Sequence, residues 1–190
     1  MKMSNVNAPN GFVPLRHLTG GVIRANEYPI ANGYAANLAS GDLVTLATNG
    51  TVVRGTAGGV ALGVFYGVEY IDHDTGDVKF KKVWNNAQTA KTDTPIKAYV
   101  YDDPNITYAV QTNGVFATAN VGELANVTIG TYNSTYGHST DELDIATLAT
   151  TAKVLRILRL IDYPDNAAGA DASVEVVLNL SLYGTQNAGV

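Results

Sequence analysis

The chain of 190 residues and 20.0 kDa carries a formal charge of −5, and charged residues make up only 15% of it. That acidity argues against a nucleic-acid partner, whose affinity rests on neutralising phosphates with Lys and Arg, and the absence of cysteine excludes disulfides and cysteine-ligated metals. A chain of this mass buries roughly 70% of the surface its unfolded form exposes, enough for a core without staples, while so little charge leaves polar, uncharged surface suited to contact with other subunits.

Met1 to Pro9 holds no apolar h-region, so no secretory signal is expected, and no stretch approaches the ~20 apolar residues of a membrane span. Residues 1–30 read as an extended arm. Asn10-Gly11 and Gly20-Gly21 are turn signals, Pro9, Pro14 and Pro29 disfavour continuous ladders, and Val22-Ile23 is the one apolar pair with strand character. Arg16, His17 and Arg24 gather here in an otherwise acidic protein. A β-rich domain is expected over 31–186, with a tail at 187–190.

Gly41 to Tyr70 is the kernel. Leu43 to Leu46, Val52-Val53 and Val60 to Val68 are apolar runs cut by Asn49-Gly50 and by Gly55 to Gly59, the pattern of antiparallel strands joined by turns. Asn49-Gly50 suits a two-residue hairpin with positive φ at both positions. Gly63 and Gly67 suggest bulges or close backbone approach, which bend a strand around a corner.

Asp72, Asp74 and Asp77 faintly suggest a calcium loop, but no Glu follows at the right offset and Lys79 lies nearby, so a hairpin turn explains them and no metal is expected. Val78 to Trp84 alternates as a half-exposed strand with Val78, Phe80 and Trp84 inward. Ile96 to Tyr101 is a strand closed by Asp102-Asp103-Pro104-Asn105, and Ile106 to Gln111 is expected to pair back onto it. Thr118 starts a single helical turn. Residues 130–151, rich in Gly, Ser, Thr and Tyr, read as a long surface loop pinned by Leu143 and Ile145. Lys153 to Ile161 is read as strand over helix, because its β-branched residues favour it and Asp162 to Asn166 ends it as a turn. Val174 to Leu182 alternates strictly, which predicts one buried and one wet face. The fold class is all-β, mainly antiparallel, as a small curved barrel or sandwich.

Catalytic templates lack residues. Gly137-His138-Ser139 has no Gly-x-Ser-x-Gly context and no carboxylate placed behind the imidazole. His17, His73 and His138 form no H-x-x-x-H pair, and neither Gly20-Gly21 nor Gly58-Gly59 opens a phosphate-binding helix. No catalytic residue and no cofactor are expected.

Asn10-Gly11-Phe12-x-Pro14-x-Arg16-His17-Leu18-x-Gly20-Gly21-x-Ile23-Arg24 resembles the opening of structural proteins encoded in tailed-phage head modules. Leu62-Gly63-Val64-Phe65 with Tyr70, and Ala98-Tyr99-Val100-Tyr101-Asp102-Asp103-Pro104, resemble their middle; Pro164-Asp165-Asn166 and Val174-Glu175-Val176-Val177 resemble their last strand. The resemblance implies a capsid decoration, or cement, protein of the virion. Such a protein is made in the host cytoplasm and binds the outside of an icosahedral shell, commonly as a homotrimer, with the major capsid protein as partner and neither nucleic acid nor membrane. Arg16, His17, Arg24 and Tyr28 are then the candidate capsid or subunit contacts. The competing reading is a phage surface β-domain that binds carbohydrate or the host envelope.

Overall fold

The computed structural model describes residues 5–184, so the tail expected at 187–190 lies outside the described residues. Its regular elements are strands apart from one 3-10 turn, Thr118–Asn120. In chain order they are β1 (Val13–His17), β2 (Asn26–Ile30), β3 (Leu38–Ala39), β4 (Leu43–Leu46), β5 (Val52–Arg54), β6 (Gly63–Ile71), β7 (Val78–Lys81) and β8 (Val83–Trp84). They continue as β9 (Ile96–Tyr101), β10 (Ile106–Gln111), β11 (Leu124–Thr128), β12 (Tyr132–Asn133), β13 (His138–Ser139), β14 (Glu142–Ala149), β15 (Leu155–Leu160) and β16 (Ser173–Leu178).

Two antiparallel sheets carry the fold, neither closed into a barrel. The first has the order β1-β10-β16-β15-β11-β14 and the second β2-β9-β6-β4-β5, with β7 added alongside β6. Each has its own apolar cluster, one around Phe12, Tyr108, Phe116 and Val176, the other around Phe65, Tyr70, Trp84 and Val100. Leu43 and Val64 belong to the first cluster although they sit on strands of the second sheet, and so tie the two layers together.

A buried charge cluster reinforces that seam. Arg54 on β5 meets Asp141, just before β14, through two hydrogen bonds of 2.5 and 2.9 Å, and its Nη2 lies 3.1 Å from Asp42. Asp141 also accepts from the Gly130 amide at 2.8 Å, and Asp42 from the Ala39 amide at 2.7 Å. Two carboxylates share one guanidinium, so burial pushes the Asp42 carboxyl up to about 6 against the opposing pull of Arg54.

The kernel folds as expected, with β4 paired to both β5 and β6. Gly63 and Gly67 have the close approaches their sequence suggests. A Cβ on Gly63 would strike the Tyr101 carbonyl, and one on Gly67 would lie 2.9 Å from the Phe80 ring, with a register slip between Phe65 and Gly67. The Asn49-Gly50 turn differs, since only Gly50 has positive φ, at 79°. The Gly50 amide bonds back to Ala47, while the Asn49 side chain accepts from the Thr51 amide at 3.2 Å, holding a longer turn than the two-residue form.

Several expectations are corrected by tertiary pairing. β9 and β10 do not pair with each other; the Asp102–Asn105 turn carries the chain from one sheet to the other. Phe80 and Val78 face outward, at 52% and 66% exposure, because Phe80 lies over the bare backbone of Gly67. Trp84 is buried as expected. Within the presumed loop 130–151, β12 and β13 form a ribbon and Glu142–Ala149 is an edge strand on β11. Residues 155–160 are indeed a strand. β16 lacks the wet face that alternation predicts: Glu175 is buried against the side chains of Arg16 and Arg159, Asn179 is buried beyond the strand's end, and Leu182 is exposed. Residues 1–30 are not a separate arm where they are described: Phe12 is buried, β1 forms the edge of the first sheet, and β2 forms the edge of the second.

Candidate functional site

The N-terminal segment converges on the corner between the sheets. Tyr28 on β2 donates to Asp102 Oδ2 at 2.5 Å, and Asn26 Nδ2 reaches both oxygens of that carboxylate at 2.9 and 3.0 Å. The Tyr28 hydroxyl also lies 3.4 Å from that of Tyr183. Burial, and then the carboxylate it donates to, push the Tyr28 phenol far above its ordinary range.

His17 ends β1 and pins the other half of the corner. Its Nδ1 accepts from the Gly21 amide at 3.0 Å, which leaves the proton on Nε2 to donate to Asp103 Oδ2 at 2.9 Å. A Cβ on Gly21 would sit 2.9 Å from the ring, so glycine is what lets the imidazole lie flat there. The Asn105 amide and His17 hold the Asp103 carboxyl below the usual carboxylate range. The Leu18 amide closes the corner by donating to the Asn105 carbonyl at 2.9 Å.

Thr19 Oγ1 lies 3.1 Å from His17 Nδ1, giving the order hydroxyl, imidazole, carboxylate. It is a structural row rather than an activated nucleophile. The one lone pair of Nδ1 already accepts from the backbone, so it cannot take the hydroxyl proton.

Arg16 points elsewhere, to Glu175. That carboxylate is fully buried yet receives Arg16 Nε at 2.7 Å and Arg159 Nε at 2.5 Å, while the two arginine side chains remain 49% and 62% exposed. Burial pushes the Glu175 carboxyl up, but the hydrogen bonds from Arg16, Thr107 and Arg159 outweigh it and hold it below its ordinary value. Two outward-facing cations are thereby fixed in place on one sheet face.

Of the four candidate residues, His17 and Tyr28 are therefore internal pins and Arg16 is half internal. Arg24 is exposed, has no partner among the described residues, and borders a cleft of about 340 Å³ shared with Val22, Pro104 and Tyr183. Exposed apolar side chains cluster on the same segment: Val6, Val13, Leu15, Leu18 and Val22. Asp102, Glu175, Arg159 and Tyr183 belong to this region and carry no local signal, because their partners lie far away in the chain. The described residues hold no group of His, Cys, Asp and Glu able to bind a metal ion. At the 72–77 turn, Asp72 Oδ2 is occupied by Lys79 Nζ at 2.7 Å and Oδ1 by the Thr75 and Asp74 amides.

The class this architecture defines is an antiparallel all-β protein with two open sheets. No family model, curated protein or solved structure matches the chain.

Proposed function

We propose that this protein is a structural component of a phage virion that binds the outer surface of an icosahedral capsid and reinforces it, as a homotrimer. The observation that carries the reading is the N-terminal face. The outer edge of β1, which carries exposed Leu15, is unpaired among the described residues; exposed Leu18 and Val22 follow it in the chain, and Arg24 is unengaged among those residues. An unpaired edge beside apolar side chains is a template for another chain. The resemblance to head-module proteins supplies the kind of partner, and many copies on a shell let modest single contacts add up.

The test uses point variants, because β1 is part of the fold. Val22→Asp combined with Arg24→Glu should leave melting unchanged and weaken co-sedimentation with undecorated capsids. Unchanged attachment would remove this face from the reading. Light scattering on a size column should give three times the 20.0 kDa chain mass, and a monomer at every dilution would refute the trimer.

A further inference from the structure

A second cleft, lined in part by Val13 and Pro14 at the start of β1, has a different chemistry. It is an open cleft of about 980 Å³ between the 7–14 segment, Phe65 and Tyr66 of β6, and the β12-β13 ribbon. That is the upper end of the roughly 300–1,000 Å³ typical of small-molecule sites. Its floor is rigid. The Phe12 amide bonds to the Gly41 carbonyl at 2.9 Å, and the Ser139 amide bonds to the Ser40 carbonyl at 2.8 Å. Gly11 and Gly41 both have positive φ, of 62° and 91°, and a Cβ on Gly11 would collide with Ser139.

The walls are aromatic. On one side Tyr66 lies 5.5 Å from Tyr101, and on the other Tyr136 stacks on His138 with ring centres 5.9 Å apart and planes 5° from parallel. Tyr136 is 69% exposed, a large ring surface left to water beside a cavity.

The polar ends on this cleft are unspent. The hydroxyls of Tyr66, Tyr101 and Tyr136 have no hydrogen-bond partner among the described residues, and neither do the side chain of Asn10 and the ammonium of Lys82. Asn133 uses its carbonyl oxygen on the amides of Thr135 and Tyr136, which leaves its NH2 free among those residues. His138 Nδ1 donates to the Ser139 carbonyl at 3.0 Å, so Nε2 faces outward as an acceptor.

We propose that this cleft binds a neutral oligosaccharide. Ring faces take the C–H faces of sugar rings, and scattered amide, hydroxyl and imidazole groups match sugar hydroxyls, which both donate and accept. Lys82 is the one charged residue in the lining, too little to hold a phosphate chain, and the lining contains no carboxylate to hold a cation or an amine. An apolar ligand would strand the free donors without partners. The cleft shares Val13 and Pro14 with β1, but most of its aromatic and polar groups lie on other elements, and sugar binding is read separately from the proposed virion role.

The test is isothermal titration and NMR shift mapping of the full-length protein against maltohexaose, cellohexaose, chitohexaose and a mannan-derived hexasaccharide. At least one should bind with a Kd of about 1 mM or tighter, shifting resonances of Tyr136 and Asn133. Tyr136→Ala sits on an exposed turn and should leave melting unchanged while weakening binding roughly tenfold or more. Asn133→Ala, which also loosens that turn, is checked against Lys82→Ala, which removes no hydrogen bond or ion pair among the described residues. The proposal is overturned if none of the four sugars binds, or if binding survives both Tyr136→Ala and Lys82→Ala. It is equally overturned if the cleft variants impair only a protein contact, such as attachment to capsids.

Discussion

Truncating Phe12 to alanine separates a segment that is part of the fold from one that merely crosses it. Phe12 is 1% exposed, its ring meets that of Tyr108 edge to face at 6.2 Å, and it belongs to the same apolar cluster as Val176 and Leu143. Removing a buried phenylalanine costs roughly 3–5 kcal/mol, the lost transfer energy plus the cavity left behind. For a domain of this size each kcal/mol lowers the melting temperature by about 2–4 °C, so the expected fall is roughly 6–20 °C. Scanning calorimetry on Phe12→Ala measures it, with Val6→Ala as control, since Val6 is 71% exposed and its truncation should cost less than about 0.5 kcal/mol. Deleting residues 5–24 goes further. It strips β1 from the edge of β10 and takes Arg16 from the buried Glu175, so the deletion should fail to give a cooperatively folded protein. A Phe12→Ala variant that melts within about 2 °C of the parent, a shift worth under 1 kcal/mol, would refute the reasoning and restore the picture of a detachable arm.

Two further outcomes follow from the charged groups. The Asp42 carboxyl is pushed up to about 6 in the folded protein, above its unfolded value, so the folded state binds the extra proton and loses stability as pH rises from about 4 to about 6. The melting temperature of Asp42→Asn relative to the parent should therefore climb over that interval, and a difference that stays flat between pH 4 and 7 would count against the assignment. At the 72–77 turn, Lys79 and then the Thr75 amide lower the Asp72 carboxyl to about 2, which marks both oxygens as engaged. Elemental analysis after desalting should find no stoichiometric calcium, and chelator should leave melting unchanged; bound calcium with a large chelator effect would reverse this.

Strand identity was legible where apolar and polar residues alternate along a strand with partners on both edges. β9 reads Ile96-Lys97-Ala98-Tyr99-Val100-Tyr101 and buries every other residue, as its alternation requires. β16 misled because its outward face holds a buried carboxylate; Glu175 looks like a solvent residue until Arg16 and Arg159 arrive from strands on both sides. The prolines misled in the opposite way. Pro14 and Pro29 argue against continuous ladders, yet both sit in edge strands, where one side of the backbone needs no donor. β14 was hidden by composition, since Thr and Ala on an edge strand look like a loop when no partner is in view. The candidate site was half legible. His17 and Tyr28 reach the neighbouring carboxylates Asp103 and Asp102 while Arg16 turns away to Glu175, and these partners, 74 to 159 residues away, are recorded by no local pattern.

That internal use of charge changes what the N-terminal face can offer a partner. Three cationic groups in one acidic chain suggest an electrostatic handle, yet His17 is spent on Asp103, and one nitrogen of Arg16 is spent on Glu175. Elsewhere Arg54, Lys79 and Lys97 are paired with Asp141, Asp72 and Glu27, so these cations too are spent within the chain. What remains on this face is Arg24, the outer edges of Arg16 and Arg159, and a run of exposed aliphatic side chains on an open strand edge. Exposed charge of that kind mainly sets association rate and salt sensitivity, whereas an apolar edge resists dissociation once seated. Under the proposed virion role, strand pairing and apolar burial are what would hold a partner on this face, with charge confined to guiding its approach.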